Sequence, residues 1–563
     1  MAKKSKYAHL SREQIEARLE KLEKEGYGLK WEDKPEAVAD LCDTQLPVLK
    51  QDEAKEIISS PKLPINYIIE GDNYHSLFTL NFTHKKKIDV IYIDPPYNTG
   101  KKNEWKYNDH WIDKDDTYRH SKWLSFMNKR LRLAKQLLKD EGVIFISIDD
   151  NEVAQLKLLC DKIFGEHNIL NFGIVNKSSE IATNYTIKKH EYIISFCKNL
   201  SKLNFDSVPK YTISRGTVGN ANQTMPIIEF PKGLSCYNLE DGIYKTTRKI
   251  EGGNENIENL DPIIVKNGKL AQNVRLKARW RSSNDMRNFF KNNCEPTKAK
   301  INGIIEDIYF ENDKFNPQIK KNTFEKLSSL YLDYKRGSKD LEDLDLKGKF
   351  ENPKQVEFIK YLLKLTTNKN SLILDFFAGS GTTAHAVMEL NKGDGGNRKF
   401  ILCTNNENNI CTEVTYPRVK KVIEGYADKE GIPANVKYFT QTFVNQVTSD
   451  KDKRELVNRS TELLCMAENT FEVISKRTTK NDFAIFGNNE KITAIIYDEI
   501  QIEDCVNKLN QLNNGLPAII YVFSYDHTYF AEDFENLKIK FTVKPIPEAI
   551  LNVYRKINKL KRK

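Results

Sequence analysis

The chain has 563 residues, too many for one hydrophobic core, so two to four domains are expected. Hydrophobic residues at 39% suffice for globular folding, and the net charge of +10 suits a nucleic-acid partner as well as it suits a plain, slightly basic protein. No apolar run approaches the roughly 18 residues of a membrane span, and Met1-Ala2-Lys3-Lys4-Ser5-Lys6 leads into a polar helix, not a signal peptide, so a cytoplasmic protein without membrane contact is expected. Nine cysteines without a Cys-x-x-Cys and nine histidines without paired ligand spacing predict neither disulfide nor metal.

Ser11-Arg12-Glu13-Gln14 has the form of a capping box, and the helix after it carries Ile15, Leu19 and Leu22 on one side and ends near Gly26-Tyr27-Gly28. A strand-like run, Ile65 to Glu70, then enters the turn Gly71-Asp72-Asn73. The next strand, Ile88 to Ile93, ends in Asp94-Pro95-Pro96-Tyr97, where two prolines fix the backbone directly behind a carboxylate. Asp94 and the Pro95 carbonyl make two adjacent acceptors, which suit an NH2 group. Accepting both N–H bonds of a nucleobase amine favours the pyramidal nitrogen that attacks a methyl donor, and Tyr97 is placed to stack on an extruded base. Asp-Pro-Pro-Tyr is also ordinary turn chemistry.

A loop rich in Trp, Tyr and charge covers 101–120 and suits either a cover over an extruded base or a plain surface loop. A helix through Trp123, Met127, Leu131, Leu133, Leu137 and Leu138 is expected to end at Gly142, before a strand Val143–Asp149. A helix over 151–164 and strands Ile169–Val175 and Tyr192–Cys197 follow, and the alternation predicts a mainly parallel, doubly wound sheet.

Residues 200–348 break that rhythm. Within them Arg275, Lys277, Arg279, Arg281, Arg287, Lys291, Lys298 and Lys300 face two acids, with Trp280, Phe289 and Phe290 interleaved. This composition suits contact with phosphates and bases, so Arg275, Lys277, Arg279, Trp280, Arg281 and Arg287 are candidate DNA ligands, although a charge run is often only a solvated face.

Beyond Phe350-Glu351-Asn352-Pro353-Lys354-Gln355, a helix through Ile359 and Leu363 leads to the apolar strand Ser371–Leu374, then Asp375-Phe376-Phe377-Ala378-Gly379-Ser380-Gly381-Thr382-Thr383 and a helix. Glycines at that turn allow a ligand close to the backbone, and the helix start supplies free N–H groups. Ala384 stands where a third glycine would complete a dinucleotide loop, so the loop alone leaves a dinucleotide open. Paired with Asp-Pro-Pro-Tyr it reads as a site for S-adenosylmethionine. The strand Lys399–Thr404 runs on to Glu407, an acid spaced to grip ribose hydroxyls. From 446 a separate α/β unit is expected, with strands Ala494–Tyr497 and Ala518–Phe523 around a helix at 502–512 and a basic end from Tyr554 to Lys563. No G-x-x-x-x-G-K-[ST] phosphate loop occurs.

Asp-Pro-Pro-Tyr ahead of Asp-Phe-Phe-Ala-Gly-Ser-Gly-Thr-Thr resembles the beta group of DNA amino-methyltransferases, and within it the modification (Mod) subunit of type III restriction-modification systems. The resemblance weakens in the middle of the chain and toward its end. It implies an α/β fold: a doubly wound, mainly parallel Rossmann-like methyltransferase sheet with an inserted target-recognition domain and a C-terminal α/β domain. The expected division is an N-terminal segment 1–64, a catalytic half 65–199, target recognition 200–348, a cofactor half 349–445 and a C-terminal domain 446–563. Catalysis falls to Asp94, Pro95, Pro96 and Tyr97. S-adenosyl-L-methionine falls to Asp72, Asp375, Phe376, Phe377, Ala378, Gly379, Ser380, Gly381, Thr382 and Glu407, with Asp72 carried over from the resemblance as a residue near the adenine. An Asp at the first motif position implies adenine N6 in double-stranded DNA. The resemblance further implies a homodimer and a restriction (Res) subunit as partner. Gln355 departs from the family's Pro-Lys-Pro. The alternatives are a DNA-recognition subunit with methylation reduced or lost, and a cytosine-N4 or RNA amino-methyltransferase.

Overall fold

Six of the strands run parallel as neighbours in one ten-stranded sheet, because each is apolar on both faces and needs helices above and below it. The structure is a computed structural model that describes residues 11–17, 29–100, 116–182, 185–204, 208–218, 224–244, 247–249, 256–301, 303–332, 334, 337–512, 515–526 and 531–561. Two compact units emerge: one of 1–205 with 328–563, the other of 206–327.

The sheet of the first unit comprises β1 (Gln45–Gln51), β2 (Ile65–Glu70), β3 (Ile88–Ile93), β4 (Leu138–Ile148), β5 (Ile169–Ala182), β6 (Ile187–Cys197), β7 (Leu330–Tyr331), β8 (Leu372–Asp375), β9 (Lys399–Thr404) and β10 (Asn435–Asn445). Its spatial order is β1-β10-β2-β9-β8-β3-β4-β6-β5-β7. The helices that matter are α1 (Asn73–Thr83), α2 (Arg119–Leu137), α3 (Val153–Phe164), α4 (Val356–Thr366), α5 (Thr382–Asp394) and α6 (Tyr416–Glu424). From the β8/β3 pair the chain departs both ways: β3 through α2 to β4, and β8 through α5 to β9. Right-handed crossovers then put α2 and α5 on opposite faces, and a crevice opens where the direction switches. β6 is antiparallel to both β4 and β5.

Several expectations shift. The capping box at Ser11 is present, with Gln14 N–H donating to Ser11 Oγ and Ser11 N–H to Gln14 Oε1, while the rest of that helix, and 101–115 of the aromatic loop, lie outside the described residues. The helix before β4 stops at Leu137, because Leu138 already pairs with Ile88. β1 was not anticipated: Pro47 masks it, and proline is tolerated there because the strand is at the sheet's edge. The C-terminal segment falls within the first compact unit. Its five strands (Glu472–Ser475, Phe483–Gly487, Ile492–Ile496, Ala518–Phe523, Phe541–Ile546) form a sheet of their own, but Tyr554 packs edge-on against Phe78 and donates to the Pro47 carbonyl at 2.8 Å.

The second unit is narrower than the 200–348 expected, since 328–348 belong to the first. Its described residues form small antiparallel sheets and one helix, Ser283–Lys291, around a core that includes Ile228, Phe230, Trp280, Phe289 and Phe310. Among the described residues no helix is long and apolar enough to cross a membrane, and no group of three or more His, Cys, Asp or Glu could hold a metal. All nine cysteines are free.

Candidate active site

β3 ends at Ile93 inside the sheet, and its pairing with β8 (Val90 beside Ile373, Ile91 beside Leu374) brings the Asp94 tip next to the glycine loop that starts at Asp375. The tip is clamped from behind. Trp123 Nε1–H, from α2, donates to the Pro96 carbonyl at 2.7 Å. Asn98 adopts a left-handed φ of +60°, and its amide donates to the fully buried Glu152, which also lies 2.6 Å from His120 Nδ1. Burial raises the Glu152 carboxyl to about 8, so it carries a proton at neutral pH.

In front, Tyr97 donates its hydroxyl proton to Asp94 Oδ1 at 2.7 Å and accepts from Lys354 Nζ at 2.7 Å. The same ammonium lies 3.0 Å from Glu191 Oε1 and 3.2 Å from Asp94 Oδ1. One lysine thus serves two carboxylates. Burial pushes the Asp94 carboxyl up, and Lys354 opposes that shift. Burial works against the Lys354 ammonium too, but Asp94 and Glu191 outweigh it and hold the lysine charged. Tyr97 is therefore fixed by its hydroxyl in a polar cluster, beyond the stacking role read from the sequence.

The glycine loop is buried throughout. Gly379 and Gly381 have φ of +46° and +75°, and a Cβ on Gly379 would meet the Phe350 ring at 2.9 Å. Thr415 Oγ1–H donates to the Gly379 carbonyl at 2.5 Å, and Gly381 N–H to the Ala378 carbonyl at 2.7 Å. Two of the cofactor candidates have their side chains engaged within the fold. Asp375 accepts from Phe377 N–H at 3.0 Å and from the Thr383 hydroxyl at 2.6 Å, one bond on each oxygen, and so braces the turn. Phe376 is fully buried in the core, so its side chain does not face a cofactor. Asp72 stands at the end of β2 as the cap of α1, accepting from Tyr74 N–H at 2.7 Å, with Arg130 at 3.4 Å. Glu407 is exposed on the 3-10 turn after β9. Both belong to strands on the β8 side of the crevice.

The basic segment of the second unit is a different matter. Arg275 forks onto Asp261 (2.9 and 2.8 Å), Lys277 pairs with Glu258 across strands at 3.1 Å, and Arg287 donates to the Ile227 carbonyl at 3.0 Å. Trp280 is not a DNA ligand. It is 1% exposed, and its Nε1–H donates to the Pro226 carbonyl at 2.7 Å. Arg281 is exposed and Arg279 half-buried.

Sequence reasoning missed Glu191, Lys354, Arg130 and Arg418. The signal for Glu191 was an acid at the head of the apolar run Tyr192–Cys197, and for Lys354 the Pro-Lys pair before α4.

Residues 88–416 match the family model described as DNA methylase. The chain belongs to the DNA methylase family. Among curated relatives of this DNA methylase, the type III restriction-modification enzyme StyLTI Mod subunit of Salmonella typhimurium is 32% identical over 405 residues, 67% of this chain and 58% of the relative. The EcoP15I Mod subunit of Escherichia coli is 30% identical over 433 residues, 68% of this chain and 64% of the relative. The type II methyltransferase M.KpnI of Klebsiella pneumoniae is 32% identical over 365 residues, 62% and 82% of the two chains. The methylase thus matches somewhat under two thirds of the length of these Mod subunits.

Proposed function

We propose that this DNA methylase transfers a methyl group from S-adenosyl-L-methionine to adenine N6 at a specific site in double-stranded DNA, as the modification enzyme of a restriction-modification system. The observation that carries the reading is the placement of the Asp94 tip beside the glycine loop at the switch point of the sheet. The loop residues fit the cofactor: two left-handed glycines and the start of α5 form a cradle of backbone N–H groups. Gly379, Ser380, Gly381 and Thr382 would hold its amino-acid end, and Asp72 and Glu407 its adenosine. Bound there, the cofactor supplies an electrophilic methyl group.

The chain's own residues do the rest. Asp94 and the Pro95 carbonyl accept the two N–H bonds of the base's amine and favour a pyramidal nitrogen. Trp123 and the buried Glu152–Asn98 pair hold the tip rigid, so no reorganisation is needed at the moment of reaction. Lys354, 3.2 Å from Asp94 Oδ1, opposes the burial that pushes the Asp94 carboxyl up and so favours its accepting form. Asp94, whose carboxyl burial pushes up, then takes the proton that the methylated amine releases.

The second unit is read as the target-recognition domain, with Arg279 and Arg281, which flank the buried Trp280, as its candidate DNA ligands. The printed names of the relatives support a restriction (Res) subunit as partner, and a homodimer is proposed with it. Modified-base sequencing of DNA from cells that express the wild type or Asp94→Ala tests the activity. N6-methyladenine at one motif, absent with the variant, is expected. Cytosine N4 methylation, or no modified base, would overturn the assignment.

A further inference from the structure

Behind the glycine loop, α6 carries Arg418, whose side chain is fully buried. Its Nη1 donates to the Ser380 carbonyl (3.3 Å), Ser380 Oγ (3.1 Å) and Thr382 Oγ1 (2.9 Å), and its Nη2 to His385 Nδ1 (3.5 Å). Its Nε is buried without any partner. Among the described residues no carboxylate hydrogen-bonds to it or forms an ion pair with it, and Asp340 and Glu389 act on it only from a distance. His385 does not help. Its Nδ1 accepts from Arg418, which leaves Nε2 to serve Tyr426 at 3.1 Å and Glu389 at 3.2 Å.

A buried guanidinium without a counter-ion is costly, and chains rarely keep one without a use. What this one faces is specific. It donates to both hydroxyl oxygens at the turn, so their hydrogens must point elsewhere. The Thr382 hydrogen has the Lys354 carbonyl at 3.3 Å, and the Ser380 hydrogen has two places to go, Thr382 Oγ1 at 3.1 Å or a ligand at the turn. The start of α5 adds unpaired N–H groups at the same place. Buried cation, oriented hydroxyls and helix start together form a positive field that Asp340 and Glu389, the carboxylates acting on Arg418 from a distance, offset only in part, since burial still holds the arginine below its ordinary value.

We infer that Arg418 is a positioning residue for the cofactor's amino-acid tail: acting through the Ser380 and Thr382 hydroxyls, it selects and orients a terminal carboxylate. The inference rests on the reading of the loop as the S-adenosylmethionine site. It assigns the missing counter-ion to the ligand, and so explains why the arginine is kept buried.

Calorimetry on the full chain with two ligands tests it. S-adenosylhomocysteine carries the amino-acid tail, and 5′-methylthioadenosine lacks it. Arg418→Gln is expected to weaken the first by about tenfold or more and to leave the second within about twofold. Equal loss of both would reduce Arg418 to a structural brace, and unchanged affinity for both would remove it from the site; either overturns the proposal. Should Arg418→Gln fail to fold, Ser380→Ala must show the same selective loss. The wild type must also bind the primary amide of S-adenosylhomocysteine more weakly than the acid, and equal binding overturns the demand for an anion. A wild type that binds neither nucleoside would overturn the cofactor reading itself, and the inference with it.

Discussion

The Asp94 tip and the basic segment 275–300 are both rich in charge, yet the chain uses charge in opposite ways in the two. In the segment, Arg275 and Lys277 are matched to acids 14 and 19 residues away, and the interleaved aromatics turn inward to make a core. At the tip, Asp94 meets Glu191 and Lys354, and Lys354 lies 257 residues from Tyr97, to which it donates. Local pairing neutralises a surface, whereas pairing over long sequence separation inside a sheet builds a site with a fixed charge. The density of charge in a sequence window does not separate the two.

The largest effect that would break this contrast is on Asp94. Asp94→Ala should slow methyl transfer by about a hundred- to a thousandfold, a loss of about 2.7–4 kcal/mol by analogy with deleted transition-state acceptors, while cofactor affinity stays within a few-fold. Turnover at the wild-type rate in a radiolabelled methyl assay would refute the role. Gly379→Val comes next. It forces a β-branched residue into φ +46° and against Phe350, so S-adenosylhomocysteine binding should vanish in a variant that keeps the wild-type circular dichroism spectrum. This differs from simple occlusion of the ligand, because the missing side chain points at Phe350.

Lys354→Met sharpens the comparison by leaving two buried acids without their cation. Removing the ammonium raises the Asp94 carboxyl further, so activity that needs it ionised should fall away at higher pH than in the wild type. A pH profile of kcat/KM with an unmoved acid limb would refute this. Glu152→Gln has a smaller effect, on stability. The folded-state value of about 8 lies above the ordinary 4.5, so the folded chain holds a proton that the unfolded chain releases. Wild-type stability should therefore drop as pH rises through that window, and the variant should lack this contribution. Tm measured from pH 5 to 8.5 must diverge between the two proteins. Asp261 behaves oppositely: Arg275 holds it down at about 2, so what it adds is lost only as pH falls.

The smallest expected change concerns Arg279 and Arg281. Replacing both with Gln should weaken DNA binding and spare cofactor binding. If they meet only phosphates, cognate and random duplexes suffer alike and the salt slope shrinks by about one to two units. A grip on guanine would instead cost roughly 1–3 kcal/mol of discrimination at one base pair. Affinity for both duplexes across a salt series tells these apart, and no change in either would move recognition elsewhere in the chain.

The two motifs were readable because each is contiguous: a strand, a rigid turn and its chemistry lie within about a dozen residues. Glu191, Lys354 and Arg418 were not, because their meaning arises only when β6, the start of α4 and α6 converge, and no periodicity encodes that. Trp280 misled for the opposite reason. Aromatics among basic residues are equally the inward face of an amphipathic segment, and Phe230 and Phe310 decide which.

The way the second unit joins the chain has a consequence for its history. Its first and last strands pair with each other, Pro209 opposite Phe324, and Glu325 N–H donates to the Val208 carbonyl at 2.9 Å, so it begins and ends at one point. On the other side the flanking chain is anchored at both ends to a single short stretch: Leu200 N–H on Asn168, and Ser328 and Ser329 carbonyls on Asn171 and Ile174. Such an inserted unit can be exchanged as a cassette. On the proposed reading of this unit as the target-recognition domain, a swap of residues 206–327 is expected to change what is read while the Asp94 tip and the glycine loop stay as they are.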